Sequence, residues 1–247
     1  MPFPAQQLRA WSAASAASAE VVLPRVFALS RPGSVVDVGC LFGAWAATAS
    51  ALGVSDVLGI DGDYVDPAQL LLPERRFLAH DLAAPLRLER RFDLAISLEV
   101  AHYLPARRAG EFVADLCRLA PLVLFSAAIP HQGGHGHVNE QWPAYWAERF
   151  VKCGYTAVDC VRDDVWDDPD VAPWDAQNTL LFADSGVASA ALREHHGFGR
   201  SPARVHPAIF LPYAGGRYHA LRRRTERFTA WQRRPRDLLV GYRRSSP

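Results

Sequence analysis

The chain has 247 residues, 49% of them hydrophobic, with a formal net charge of +1. That length and apolar content suit one good core with appendages and exclude a disordered or fibrous chain, and the near-zero charge names no partner by itself. The four cysteines (Cys40, Cys117, Cys153, Cys160) form no C-x-x-C pair and read as small core residues of a reducing compartment, so a cytoplasmic location is expected. The start, Met1-Pro-Phe-Pro-Ala, lacks the early positive charge of a signal peptide, and Ser12–Ala19 is weakly apolar. No apolar run approaches the roughly 18–20 residues that span a bilayer, so no membrane partner is expected.

In chain order, residues 4–30 predict one helix or two, anchored by Trp11, Val22, Val26 and Phe27 and ended by Pro32-Gly33. Ser34-Val-Val-Asp-Val38 reads as a buried parallel strand running into Gly39 and Gly43, then a helix to Leu52 with Gly53 as its C-cap. Asp56–Asp61 is a second strand, 74–80 a third and 92–98 a fourth. Residues 105–120 are helical, and 122–129 form a fifth strand. Pro130–Glu140 is a glycine- and histidine-rich loop, and a helix follows over 142–150. Strands over 155–165 and 178–183 lie too close in sequence for a long crossover helix and predict an antiparallel hairpin. Strand–helix alternation implies a parallel sheet covered on both faces, with ligands at the strand C-terminal ends. Asp37, Asp61, Asp81 and Glu99 stand at those ends.

The turn Asp37-Val-Gly39-Cys40-Leu41-Phe-Gly43 lacks the G-x-G-x-x-G of dinucleotide enzymes. An acid two residues before the first glycine suits a ligand with a cationic amino group. This spacing resembles motif I of the class I S-adenosylmethionine (SAM) dependent methyltransferases, with Leu41 where that family more often has glycine. Asp61, 18 positions after Gly43, is suited to accept both ribose hydroxyls of a nucleoside. The resemblance covers about residues 35–183. It implies a Rossmann-like seven-stranded sheet, mostly parallel with an antiparallel C-terminal hairpin, flanked by helical N- and C-terminal extensions. It further implies a cofactor site of Asp37, Gly39, Cys40, Gly43, Asp61, Gly62, Asp81, Leu82 and Leu98, with SAM as cofactor and S-adenosylhomocysteine (SAH) as product.

Glu99-Val-Ala-His102-Tyr103-Leu-Pro is similar to the Glu-Val-Ala-Glu-His-Leu of small-molecule members, with His102 at the usual Glu. Gly136-His137-Val-Asn139-Glu140-Gln141, together with Trp166-Asp-Asp-Pro and Gln177-Asn178, resembles a bacterial subgroup of polysaccharide and natural-product pathways. Methyl transfer from a sulfonium needs an aligned nucleophile and an acceptor for its proton. His137 is the first candidate base and His102 the second, with Glu140 or Asn139 to orient the imidazole. The alternative is that His137 and Asn139 only brace the loop. His131, His135 and His137 lack a fourth ligand, and no metal is expected.

Three segments result: a lead-in over 1–30, the cofactor domain over 31–184, and a basic extension over 185–247. From Arg217 to Arg244 there are ten arginines against Glu226 and Asp237. This stretch reads as a solvated helix, or as a lid or homodimer element greeting an anionic acceptor; nucleic acid is not the expected partner. The expected activity is O-methylation of a sugar or natural-product hydroxyl. N-methylation of a small molecule and a non-catalytic RNA-binding role are the alternatives.

Overall fold

The computed structural model of the chain describes residues 4–212. Residues up to His206 form one compact unit; of the second, which starts at Pro207, the short helical stretch 207–212 is described. The arginine-rich stretch from Arg217 lies outside the described residues.

Helix α1 runs unbroken over Ala5–Ser30. It ends where Arg31 turns left-handed ahead of Pro32, whose ring cannot continue a helix. Ala19, Val22, Leu23 and Val26 recur at helical spacing, are fully buried and face α2 (Ala44–Ala51). Continuity corrects the expectation that no segment is long enough for a bilayer. Among the described residues α1 alone has the length and apolarity, with mean hydropathy 1.2 over its most apolar window. Alanine supplies that hydropathy without a contiguous aliphatic run.

Seven strands follow: β1 (Ser34–Val38), β2 (Asp56–Asp61), β3 (Phe77–Ala79), β4 (Leu94–Ser97), β5 (Leu122–Phe125), β6 (Tyr155–Val158) and β7 (Leu180–Asp184). Their order is β3-β2-β1-β4-β5-β7-β6. The first five are parallel, and β7 is antiparallel to both β5 and β6. The expected mostly parallel sheet with a closing antiparallel hairpin is therefore present. Chain order reverses between β1 and β4, and such a switch point leaves a crevice outside the strand C-termini.

Each sheet face has its own core. One is built on α3 (Ala109–Leu119) and α4 (Pro143–Lys152), with Phe112, Leu116, Trp146 and Phe150 buried. Phe150 stacks on Phe182 with centroids 3.8 Å apart. The other face packs Val22, Trp45, Leu94, Ile96 and Leu181 beneath α1 and α2.

Three expected strands are shorter than the pattern predicted. Glu74–Arg76 is a 3-10 turn and only Phe77–Ala79 pairs, at the charged sheet edge. The β5 ladder ends at Phe125; beyond it Ala128 N–H donates to His102 Nδ1 and Ile129 N–H to Gln132. After β6 the chain coils into α5 (Arg162–Val165), because Asp159 and fully buried Arg162 form a two-pronged ion pair three residues apart. The remaining helices, α6 (Pro173–Asn178) and α7 (Ala190–Glu194), flank β7 in sequence.

Asp115 of α3 fixes the segment that follows β3. It is 1% exposed, accepts the Leu86 N–H, and pairs with Arg108 and Arg118. Arg108, 4% exposed, in turn holds the carbonyls of Leu82 and Ala84. Asp115→Ala strands that buried guanidinium and is expected to cost about 3–5 kcal/mol in urea unfolding. A loss below about 1 kcal/mol would contradict the role given to this pair.

Candidate active site

The turn after β1 is left-handed at every second residue: Gly39 (φ 86°), Leu41 (φ 49°) and Gly43 (φ 83°). A Cβ on Gly39 would lie 2.2 Å from Val100 Cγ2, and one on Gly43 2.8 Å from Leu72 Cδ1, so both positions need glycine for space as well as conformation. Gly39 and Cys40 donate their N–H groups to the Ile60 carbonyl, at 2.7 and 3.2 Å. Leu41 keeps the backbone that glycine usually supplies, at a cost of about 1–2 kcal/mol, and so directs its N–H onto Asp61 Oδ2 at 2.6 Å.

Asp37 and Asp61 lie under this turn, 2% and 5% exposed. Asp61 accepts from the N–H groups of Leu41 and Gly62 and from the Tyr64 hydroxyl. Burial raises its pKa and these donors act against the rise. Asp37 Oδ2 has no partner. Burial first, then the nearby Asp61 charge, pushes the Asp37 pKa up to about 8. No arginine or lysine pairs with either acid among the described residues.

The other expected cofactor residues are arranged less uniformly. Gly62 lies under the Tyr64 ring and binds Asp61 with its N–H. Cys40 turns its thiol onto Gly59 in the core, and its N–H donates to the Ile60 carbonyl. Asp81 is exposed, with Oδ1 on the Ala83 N–H as a turn cap. Leu82 is 8% exposed and belongs to the core cluster beside Ala101 and Leu104. Leu98 is half-buried at the end of β4.

On the β4–β5 side, the expected catalytic residues converge. The rings of His102 and His137 are 4.0 Å apart, with Tyr103 edge-on to His137 at 5.1 Å. His137 Nδ1 lies 2.9 Å from Glu140 Oε1, which is the orienting contact the sequence suggested. Glu140 also accepts the N–H groups of His131 and Gly133, so it ties the whole loop around this imidazole. His102 is fixed differently. Its Nδ1 accepts the Ala128 N–H, and burial, then His137, lowers its pKa to about 3. Its carbonyl accepts the N–H groups of Val138 and Asn139. Among the described residues no three His, Cys, Asp or Glu side chains gather as metal ligands do.

Glu99 and Tyr64 were given no site role by the sequence, and the structure ties both to buried polar groups. Glu99 was visible only as a strand-ending acid. Its carboxylate is held by Asn178 and Gln132, at 2.9 and 3.1 Å. Tyr64, on Asp61, carried no signal beyond being three residues downstream of it.

No protein-family model and no curated protein matches the chain. Among solved structures it is similar to human N-acetylserotonin methyltransferase in complex with SAM (16% identity, 72% of this chain, TM-score 0.53). It is similar also to Streptomyces venezuelae DesVI (14% identity, 71% of this chain and 92% of that one, TM-score 0.51). The chain spans 55% of the length of the human protein. At such identities the likeness concerns architecture, and with the strand order above it establishes that the chain has the class I SAM-dependent methyltransferase fold.

Proposed function

We propose that the chain is a SAM-dependent methyltransferase that methylates a hydroxyl of a small molecule, a sugar or natural product, to give a methyl ether and SAH. The observation that carries the reading is the pair of buried, cation-free carboxylates beneath a strained glycine turn at the sheet switch point. The unpartnered Asp37 Oδ2 fits a ligand with net positive charge. Gly39 and Gly43 fit close approach of backbone to ligand. Asp61 fits a ribose diol, provided the Tyr64 hydroxyl yields its place.

In this reading Asp37, Gly39, Gly43, Asp61 and Gly62 hold SAM, with Asp81, Leu82 and Leu98 around its far side and Cys40 shaping the turn. The bound cofactor supplies an activated methyl group on a cationic sulfur. The chain's own residues align the acceptor and take its proton. His137 is the proposed base: Glu140 holds Nδ1–H, which leaves Nε2 as the accepting atom. His102 supports the loop that carries it. The cysteines, all free among the described residues, support a reducing, cytoplasmic setting.

Titration calorimetry tests the cofactor reading. Asp61→Ala is expected to weaken SAM binding about 100-fold, since it removes a charged acceptor of two hydrogen bonds. Unchanged affinity would misplace the site. With an acceptor found in a panel of hydroxy and amino compounds, His137→Ala should slow turnover about 10²–10⁴-fold while SAM affinity stays at the wild-type value. Turnover equal to wild type would remove His137 as base.

A further inference from the structure

Glu99 opens the segment after β4 next to the β1 turn, because its neighbour Val100 fills the space over Gly39. Its backbone is left-handed, φ 56°, and its N–H is fixed on Ser126 by the carbonyl at 3.1 Å and the hydroxyl at 2.9 Å. Only neutral donors hold the carboxylate: Asn178 Nδ2 on Oε1 and Gln132 Nε2 on Oε2. Those carboxamides are cross-linked with Gln177 at 2.9 Å, which makes the collar stiff. Asp175, 2% exposed and with Oδ2 unpartnered, lies within electrostatic reach of Glu99; burial, then Glu99, raises its pKa to about 8. Neither acid pairs with an arginine or lysine among the described residues. The carboxylate is thus oriented with care and left without a counter-charge.

We infer that Glu99 is the counter-charge for the sulfonium of SAM and so discriminates the charged cofactor from its neutral product. This rests on the cofactor reading above. SAM and SAH share the nucleoside and the amino-acid end. They differ by one methyl group and one positive charge, so only a group facing the sulfur separates them. In that reading the other acids of the site, Asp37 and Asp61, face parts that both ligands possess. A fixed carboxylate in a site of low dielectric favours the cation by Coulomb attraction and offers SAH nothing comparable. Product release follows from the same contact, because methyl transfer removes the charge that Glu99 holds.

The titratable groups that face Glu99 are Asp175 of α6, Glu140 of the loop after β5 and Tyr103 of the turn after β4. Burial, followed by Glu140, raises the Glu99 pKa to about 7 against its amide donors. Ionised Glu99 attracts the sulfonium, so selectivity for SAM is present above that pH and fades as pH falls through it.

Calorimetric titration of wild-type protein and Glu99→Gln with SAM and with SAH, at pH 8.5 and 5.5, tests this. The ratio of SAH to SAM dissociation constants is expected to fall about tenfold in Glu99→Gln at the higher pH. SAH affinity should stay unchanged, which also shows that the variant is folded. In the wild type the ratio should shrink at the lower pH, and in Glu99→Gln it should be flat. Equal loss for both ligands, or no loss for either, overturns the inference while leaving the cofactor reading intact. Failure of the wild type to bind either ligand removes both.

Discussion

Two carboxylates buried side by side at the ends of β1 and β2 are the constraint on which the site depends. Asp37 and Asp61 repel each other in a place with little water, and the chain supplies no arginine or lysine to relieve them. What it supplies is backbone. The Leu41 and Gly62 N–H groups converge on Asp61, and the first is available only because Leu41 adopts a left-handed conformation. The glycines at 39 and 43 are required by the same geometry, since Val100 and Leu72 close over them. The strain, the glycines and the unpartnered Asp37 oxygen are then one arrangement.

Much of this was legible in the sequence, and for a physical reason. A parallel strand buried on both faces is an apolar run, so an acid at its end stands out against its own segment. Asp37, Asp61 and Glu99 were found that way, and chain order alone indicated the closing hairpin. Leu41 shows the limit. Its identity departs from the glycine more usual there, yet the backbone is left-handed as glycine's often is and delivers an N–H to Asp61. Sequence names the residue type and not the φ angle that tertiary contacts impose.

The β4–β5 side was less readable because its partners come from far apart. Glu99 is gripped by Gln132 and Asn178, which meet only after β4, β5 and α6 are assembled. His102 and His137 both carry the residue type of a base, and nothing local separates them. Burial and the Ala128 N–H make the His102 imidazole hard to protonate, while His137 Nδ1 lies against Glu140, a contrast that only the assembled fold supplies. Strand ends were misjudged for the same reason. Apolar content continues past Phe125 and Val158, but the Ala128 contact with His102 and the Asp159–Arg162 pair stop the ladders there.

In the proposed function, Asp61 and the turn above it form the nucleoside site. A crystal structure of the protein with SAH tests it most directly. The expected density has the ribose hydroxyls on Asp61, the amino-acid end against residues 39–43, and the Tyr64 hydroxyl moved off the carboxylate it occupies here. SAH bound elsewhere, with Tyr64 still on Asp61, would contradict it.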